Sequence, residues 1–373
     1  MKKGRLKKVF PGGNTYRGFH SFYDFIIEPD ATRIFCIKGG PGVGKSTFMR
    51  WIGEQMLERG YDVEFHCCSS DNGSLDGIVI PAIKVAMLDG TAPHVVDPKN
   101  PGVVDEIIHL GDYWNEKQIR INKTEVLELN AKVGRLFRLA YSNLKEAKVA
   151  YDEWKSYIIQ ALDMAQVRRT SNEIIEEIFI SVIPKYDSLP KVRRLFATAI
   201  TPEGPFNYID TILQSMDKLY ILKGDPGTGV QEIISRVASL ATENGLDTEV
   251  YHCTLNPDKL DSVVIPQLKV ALINGSEPLI FDLSSVSSLS VITAIDLNKF
   301  VQDMLLEDYQ EDMLAAKERF WASFNRAVKF INRAKTAHDL METYYIPSMD
   351  FNAINAKRDE ILQRILDYAE EFK

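Results

Sequence analysis

The sequence predicts an α/β protein built twice over, each copy a parallel sheet covered by helices and followed by long amphipathic helices. Three observations predict it. The chain repeats itself at a nearly fixed offset; each copy contains a strand, a glycine-rich turn and a helix in that order; and each ends on a stretch whose apolar residues recur at three and four residue steps. At 373 residues, 45% apolar and 26% charged, the chain is long enough for two cores.

The repeat is read directly. "YDVEFHCCSSDNGSLDGIVIPAIKVAMLDGTAPHVVD", Tyr61 to Asp97, falls without a gap on "LDTEVYHCTLNPDKLDSVVIPQLKVALINGSEPLIFD", Leu246 to Asp282, an offset of 185. Upstream, "KKVFPGGNTYRG" at 7–18 meets "RRLFATAITPEG" at 193–204; downstream, "AKVAYDEW" at 147–154 meets "AKTAHDLM" at 334–341. The seam lies near "IPKYDSLPKVRR", 183–194, where prolines and small polar residues follow a helical pattern, so the expected domains are 1–190 and 191–373.

Within each copy a short apolar strand (34–38; 219–223) enters the turn, and a helix follows that Gly60 or Gly245 ends as a C-cap residue would. A second strand is expected at 62–68 and 247–253. The segment around Leu75 to Ile83 reads as a short helix, and "KVAMLD" or "KVALIN" as a buried strand. Strand, helix, strand at this spacing is the signature of a parallel sheet. From about Thr124 to Ala165, Val126, Leu129, Val133, Leu136, Ala140 and Leu144 begin a stripe that copy two repeats through Met313, Phe320, Phe324 and Ile331; it reads as a core-facing stripe on long helices, with a partner-binding face as the alternative.

The turn "GGPGVGKS", Gly39 to Ser46, fits G-x-x-x-x-G-K-[ST], a match that chance gives in roughly one chain of this length in a hundred. It is a P-loop pattern, and its mechanism makes sense of each position. Gly39, Gly40, Pro41, Gly42, Val43 and Gly44 turn successive backbone N–H groups inward around phosphate oxygens, and Lys45, Ser46 and Thr47 start a helix whose N-terminus adds partial positive charge. Lys45 is expected on the β and γ phosphates, and Ser46 on Mg²⁺. The second metal-side residue is expected to be Asp89, closing the apolar run "VAMLD"; Asp97, which ends "HVVD", is its rival.

The second copy serves as a control. Lys45, Ser46 and Asp89 become Val230, Gln231 and Asn274, while Gly39, Pro41, Gly42 and Gly44 persist as Gly224, Pro226, Gly227 and Gly229. Three chemically linked groups vanish on a retained scaffold, so copy two is expected to have a degenerate site. Asp62, Asp76, Pro81, Pro93 and Asp97 persist and read as caps and turns. His94 becomes Leu279 and is a candidate γ-phosphate or substrate contact, or a hydrogen-bonded loop residue. "PGVVDEIIHLGDYW", 101–114, has no clear counterpart and reads as a lid loop or an irregular cover.

"GGPGVGKST", "LDGTAPHVVDP" and "LGDYW" together resemble an uncharacterised family of tandem P-loop ATPases from Gram-positive, often spore-forming bacteria, and the likeness covers the whole chain. The resemblance implies ATP binding and a duplicated P-loop NTPase fold, and Lys45, Ser46 and the loop glycines carry over to it. The expected activity is Mg²⁺-dependent ATP hydrolysis at copy one. A small-molecule kinase and a nucleotide-gated switch with little turnover are the alternatives.

Composition narrows the partners. No apolar run approaches the roughly 18 residues of a membrane span, and "MKKGRLKKVFPGG" has basic residues without an apolar h-region, so a cytoplasmic location is expected. Net charge is −8 with no basic stripe, which weighs against nucleic acid. Cys36, Cys67, Cys68 and Cys253 lack C-x-x-C spacing and are expected to be reduced thiols.

Overall fold

The computed structural model describes residues 2–91, 95–184, 189–278, 286 and 289–372. It is an α/β protein. Copy one runs β1 (Leu6–Val9), β2 (Gly12–Thr15), β3 (Gly18–Ser21), β4 (Arg33–Lys38), α1 (Lys45–Glu58), β5 (Val63–Cys67), β6 (Leu75–Ile80), β7 (Val85–Asp89), β8 (Asp105–His109), α2 (Glu116–Ile121), α3 (Lys123–Ala161) and α4 (Met164–Phe179). Copy two runs β9 (Val192–Leu195), β10 (Thr198–Thr201), β11 (Gly204–Asn207), α5 (Ile209–Leu213), β12 (Lys218–Lys223), α6 (Val230–Glu243), β13 (Thr248–His252), β14 (Leu260–Ile265), β15 (Val270–Asn274), β16 (Val291–Asp296), α7 (Gln310–Tyr345) and α8 (Phe351–Glu371).

The two six-stranded sheets have the same order when written from matching edges: β1-β5-β6-β7-β4-β8 and β9-β13-β14-β15-β12-β16. Neither is wholly parallel. β6 runs antiparallel to β5 and β7, as β14 does to β13 and β15, while the remaining pairs are parallel. The helix expected at 75–83 is therefore a strand followed by the 3-10 turn Pro81–Ile83. Residues 68–74 are too few to cross over the sheet, so the chain must return beside β5 in the opposite direction. Leu75, Ile78, Val79 and Ile80 are all buried there, which suits a strand covered on both faces. The 101–114 segment does have a counterpart: β8 pairs with β4 as β16 pairs with β12, each forming an edge of its sheet.

The chain divides into two compact units: Met1–Gly12, Ser21–Leu139 and Lys329–Lys373 in the first, Gly13–His20 and Ala140–Val328 in the second. This cut differs from one at residue 190. The last part of α7 and all of α8 count with the sheet of copy one; the last part of α3 and all of α4 count with that of copy two. A helix of 39 residues such as α3 is roughly 58 Å long, more than one small sheet can cover, and its stripe continues past the end of a single core.

In the first unit α1 lays Phe48, Met49, Ile52, Met56 and Leu57 on the sheet, and α8 is fixed by the paired bonds of Arg364 to Glu106 and by Arg358, 3.8 Å above the ring of Trp51. In the second unit α6 buries Ile233, Ile234, Val237, Ala238 and Ala241 against Val250, Val263 and Leu272, and α4 adds Val167, Ile174 and Ile178. Each of the larger of these side chains contributes roughly 1.5–3 kcal/mol on burial. Gly53 in α1 lies against Phe65, where a Cβ would come within 2.4 Å of the ring; copy two has Ala238 and Val250 at these places, volume moved from strand to helix. No helix among the described residues is long and apolar enough to cross a membrane.

Candidate phosphate-binding site

β4 emerges between β7 and β8, with Ile37 beside Asp89 and Lys38 beside His109. The turn that follows needs left-handed backbone at two places, and glycine supplies both: Gly42 at φ 69° and Gly44 at φ 87°. Gly44 is the N-cap of α1 and offers no side-chain oxygen, and the first turn of that helix carries no acidic residue. The orphan N–H groups of the helix start are thus left to an external anion, with the helix dipole in its favour. Val43 is fully buried and packs under Gly39, anchoring the loop to the core, while Pro41 is half-buried and Thr47 exposed.

Lys45 lies inside this turn, its ammonium donating to the carbonyls of Gly39 and Gly40 at 3.0 Å each and standing 3.6 Å from Asp89 Oδ2. The other Asp89 oxygen accepts the N–H of Thr91 at 2.8 Å, and the Thr91 hydroxyl donates to Gly39 O. Ser46 Oγ accepts the N–H of Leu75 at 2.9 Å, tying the helix start to β6. Lys45, Ser46 and Asp89 are therefore brought together. Asp97 is not part of the group: it is exposed and pairs with Lys38 at 2.9 Å. His94 lies outside the described residues.

Asp76, read from sequence as a cap, belongs to the group. Because β6 is antiparallel, its first residues lie at the carboxyl end of β7, and the register Gly77 to Leu88 sets Asp76 opposite Asp89. Burial, and then the charge of Asp89, push the Asp76 carboxyl up to about 7, against hydrogen bonds from Cys68 and Tyr23 that favour the ionised form. The β6–β7 register thus brings the carboxyls of Asp76 and Asp89 together next to Leu75, whose N–H Ser46 holds. Persistence as Asp261 concealed this placement: the duplicate kept the acid and changed its neighbours.

The outer face of the loop is covered by Trp114, from the stretch read as a lid loop or an irregular cover, and by residues at and beyond the end of α7 that the sequence reading did not single out. A Cβ on Gly40 would meet Tyr345 at 3.1 Å and Trp114 at 3.4 Å; on Gly42, Ile346 at 3.0 Å and the carbonyl of Glu342 at 3.1 Å; on Gly44, Phe351 at 3.5 Å. Backbone bonds from Asn115 N to Ser348 O and from Asp350 N to Tyr113 O, each 2.8 Å, hold the two covering segments together. Beside them lies an open cleft of about 720 Å³ bounded by Trp114, Asn115, Asp350, Phe351 and Asn352. For Trp114 the signal was the reading of 101–114 as a lid or cover; for the α7 residues it was the apolar period, which gives a helix a buried face but does not say what the face buries.

In the second unit the corresponding turn has Gly227 at φ 100° and Gly229 at φ 97° before α6. Its chemistry is inverted. Asp225 replaces Gly40, Glu232 enters the first turn of the helix, and no lysine stands where Lys45 stood. Asp261 is buried and accepts two amide N–H bonds on one oxygen, from Gln231 at 2.8 Å and Asn274 at 3.0 Å. A cavity of about 50 Å³ adjoins it, room for a water or two. Comparison of the chain with protein-family models, curated proteins and solved structures found no match, so the reading of this site rests on its geometry.

Proposed function

We propose that the protein is an ATP-binding P-loop protein with two copies of the fold, in which copy one binds Mg²⁺-ATP and hydrolyses it, and copy two has given up the chemistry. The observation that carries the reading is the convergence of Lys45, Ser46, Asp89 and the uncapped start of α1 on one glycine turn at the carboxyl end of the sheet. Lys45 would leave the carbonyls of Gly39 and Gly40 for phosphate oxygens, a move that gives a compact ammonium a stronger acceptor. Ser46 and Asp89 would hold Mg²⁺, with Asp76 behind them; the ion's contribution is to neutralise phosphate charge. Trp114, Tyr345 and Phe351 supply aromatic faces beside a cleft of about 720 Å³, ample for a nucleoside.

A second reading, a nucleotide-gated switch with little turnover, is favoured by the covering of the loop. Arg358 and Arg364, carried on the helix that follows that cover, are engaged with Trp51 and Glu106, and P-loops without a supplied arginine hydrolyse slowly. The test is ADP and phosphate release from Mg²⁺-ATP, with Lys45→Ala as the control. Turnover that disappears in the variant supports the ATPase, and a rise with an added acceptor makes it a kinase. Binding without turnover supports the switch, and no binding at all removes the central claim.

A further inference from the structure

We propose that Glu342 is a resident anion of the copy-one loop, which the phosphates of the nucleotide must displace. This rests on the reading of the loop as a phosphate site. Gly42 N–H, a backbone donor of the glycine turn, donates to Glu342 Oε1 at 3.2 Å. A carboxylate oxygen there satisfies the donor as a phosphate oxygen would. Packing sets how closely the helix approaches: Gly42 faces the backbone carbonyl and Cβ of Glu342 and the side chain of Ile346, while the Glu342 side chain itself is 34% exposed. His338, one helical turn back, stands 3.7 Å from the same carboxylate.

The duplicate supplies an independent observation. At the offset of 187 that relates the two long helices, Glu342 becomes Lys155 and Ile346 becomes Ile159. Both contacts are retained in the second unit, where the Lys155 carbonyl and Ile159 lie 2.9 and 3.0 Å from a Cβ built on Gly227. The helix packs on both turns alike, but the acid occurs only over the turn that keeps Lys45. Over the turn that carries Asp225 the same place is a lysine, 4.0 Å from Glu232. The acid therefore follows the anion-binding character of the loop and not the packing.

The experiment is calorimetric titration of the full chain with Mg²⁺-ATP and with inorganic pyrophosphate, which tests the loop without the base. Wild type, Lys45→Ala, Glu342→Ala and Glu342→Gln are compared, with urea unfolding as the check that each is folded. Loss of the competitor is expected to tighten both ligands about tenfold in Glu342→Ala, or about 1.4 kcal/mol, and severalfold in Glu342→Gln, which keeps the size and loses the charge. Tighter binding by folded Glu342 variants carries the proposal, including the case in which only they bind measurably. If wild type binds and Lys45→Ala does not, yet both Glu342 variants bind as wild type or more weakly, the competitor is disproved while the phosphate site stands. If none of the four binds either ligand, the reading of the loop fails, and the proposal with it.

Discussion

The two glycine turns are the same backbone with opposite electrostatics. Each follows the strand next to the edge of its sheet, each has left-handed glycines at matching positions, and each is packed by the late turns of a long helix. In the first, Lys45 stands inside the turn and the first turn of the helix carries no acid of its own; in the second, Asp225 lies in the turn and Glu232 in the first turn of the helix. The buried acid common to both makes the contrast sharper. Asp76 faces another carboxylate, an arrangement that calls for a cation. Asp261 instead holds the amides of Gln231 and Asn274, which supply from within the chain the positive partners that a metal would supply from outside.

Backbone comes first among the ways to break this comparison. Gly227→Ala would force a side chain into φ 100° and within 2.9 Å of the Lys155 carbonyl, and should destabilise by about 3 kcal/mol or more. Gly42→Ala, at φ 69° and with contacts of 3.0–3.2 Å, should cost about 2 kcal/mol. Urea titrations read the stabilities, and nucleotide titrations separate the roles: ATP affinity falls at least tenfold in the Gly42 variant and is unchanged in the Gly227 variant. An equal loss of affinity in both would mean that copy two takes part in binding.

Charge comes next. Asn274→Asp removes an amide donor from Asp261 and sets a second carboxylate against it, recreating the acid pair of copy one without its lysine. The cost should be about 3 kcal/mol at pH 8, from the lost charge-assisted bond and the added repulsion, and should shrink on acidification as one carboxyl takes a proton. The mirror change, Asp89→Asn, relieves such a pair and should leave the metal-free protein as stable as wild type or more so. Urea midpoints at pH 8 without divalent ions compare the two. If Asn274→Asp proves neutral, the amide-for-metal account of copy two is wrong.

Much of this contrast was legible in the sequence, because an ungapped repeat aligns chemistry with its absence. The turn, Lys45, Ser46 and Asp89 were read from "GGPGVGKS" and "VAMLD", and the structure brings those residues together. What was not legible has two physical causes. The strand at Leu75–Ile80 was taken for a helix because a short apolar run fits either period, and the brevity of residues 68–74, which forces the antiparallel return, is a statement about connections and not about periodicity. That error also hid Asp76, which reaches Asp89 only from an antiparallel strand. The contacts of Glu342, Tyr345 and Ile346 were invisible for another reason: a helical stripe shows that a face is buried, whereas its partner lies far away in the chain and is chosen by tertiary packing.

The last difference lies in acid sensitivity, and it belongs to the second unit. His252 is buried at the end of β13, where copy one has Cys67. Its Nδ1 is 2.6 Å from the carbonyl of Pro257, so it carries the proton and donates, while Nε2 faces the Arg194 guanidinium at 3.4 Å. Protonating Nε2 would aim an N–H at a cation inside a desolvated site, and burial first, with Arg194 behind it, lowers the pKa to about 4 from the usual 6.5. The folded state thus binds the proton less well than the unfolded chain does. The contribution is fully present above pH 6.5 and is lost as the pH falls toward 4, about 2 kcal/mol of it by pH 5. Comparing urea titrations at pH 7.5 and pH 5 for wild type and His252→Asn, the wild type should lose about 2 kcal/mol more than the variant, which has no ring to titrate. Equal losses would place the acid sensitivity elsewhere in the chain and remove this distinction between the units.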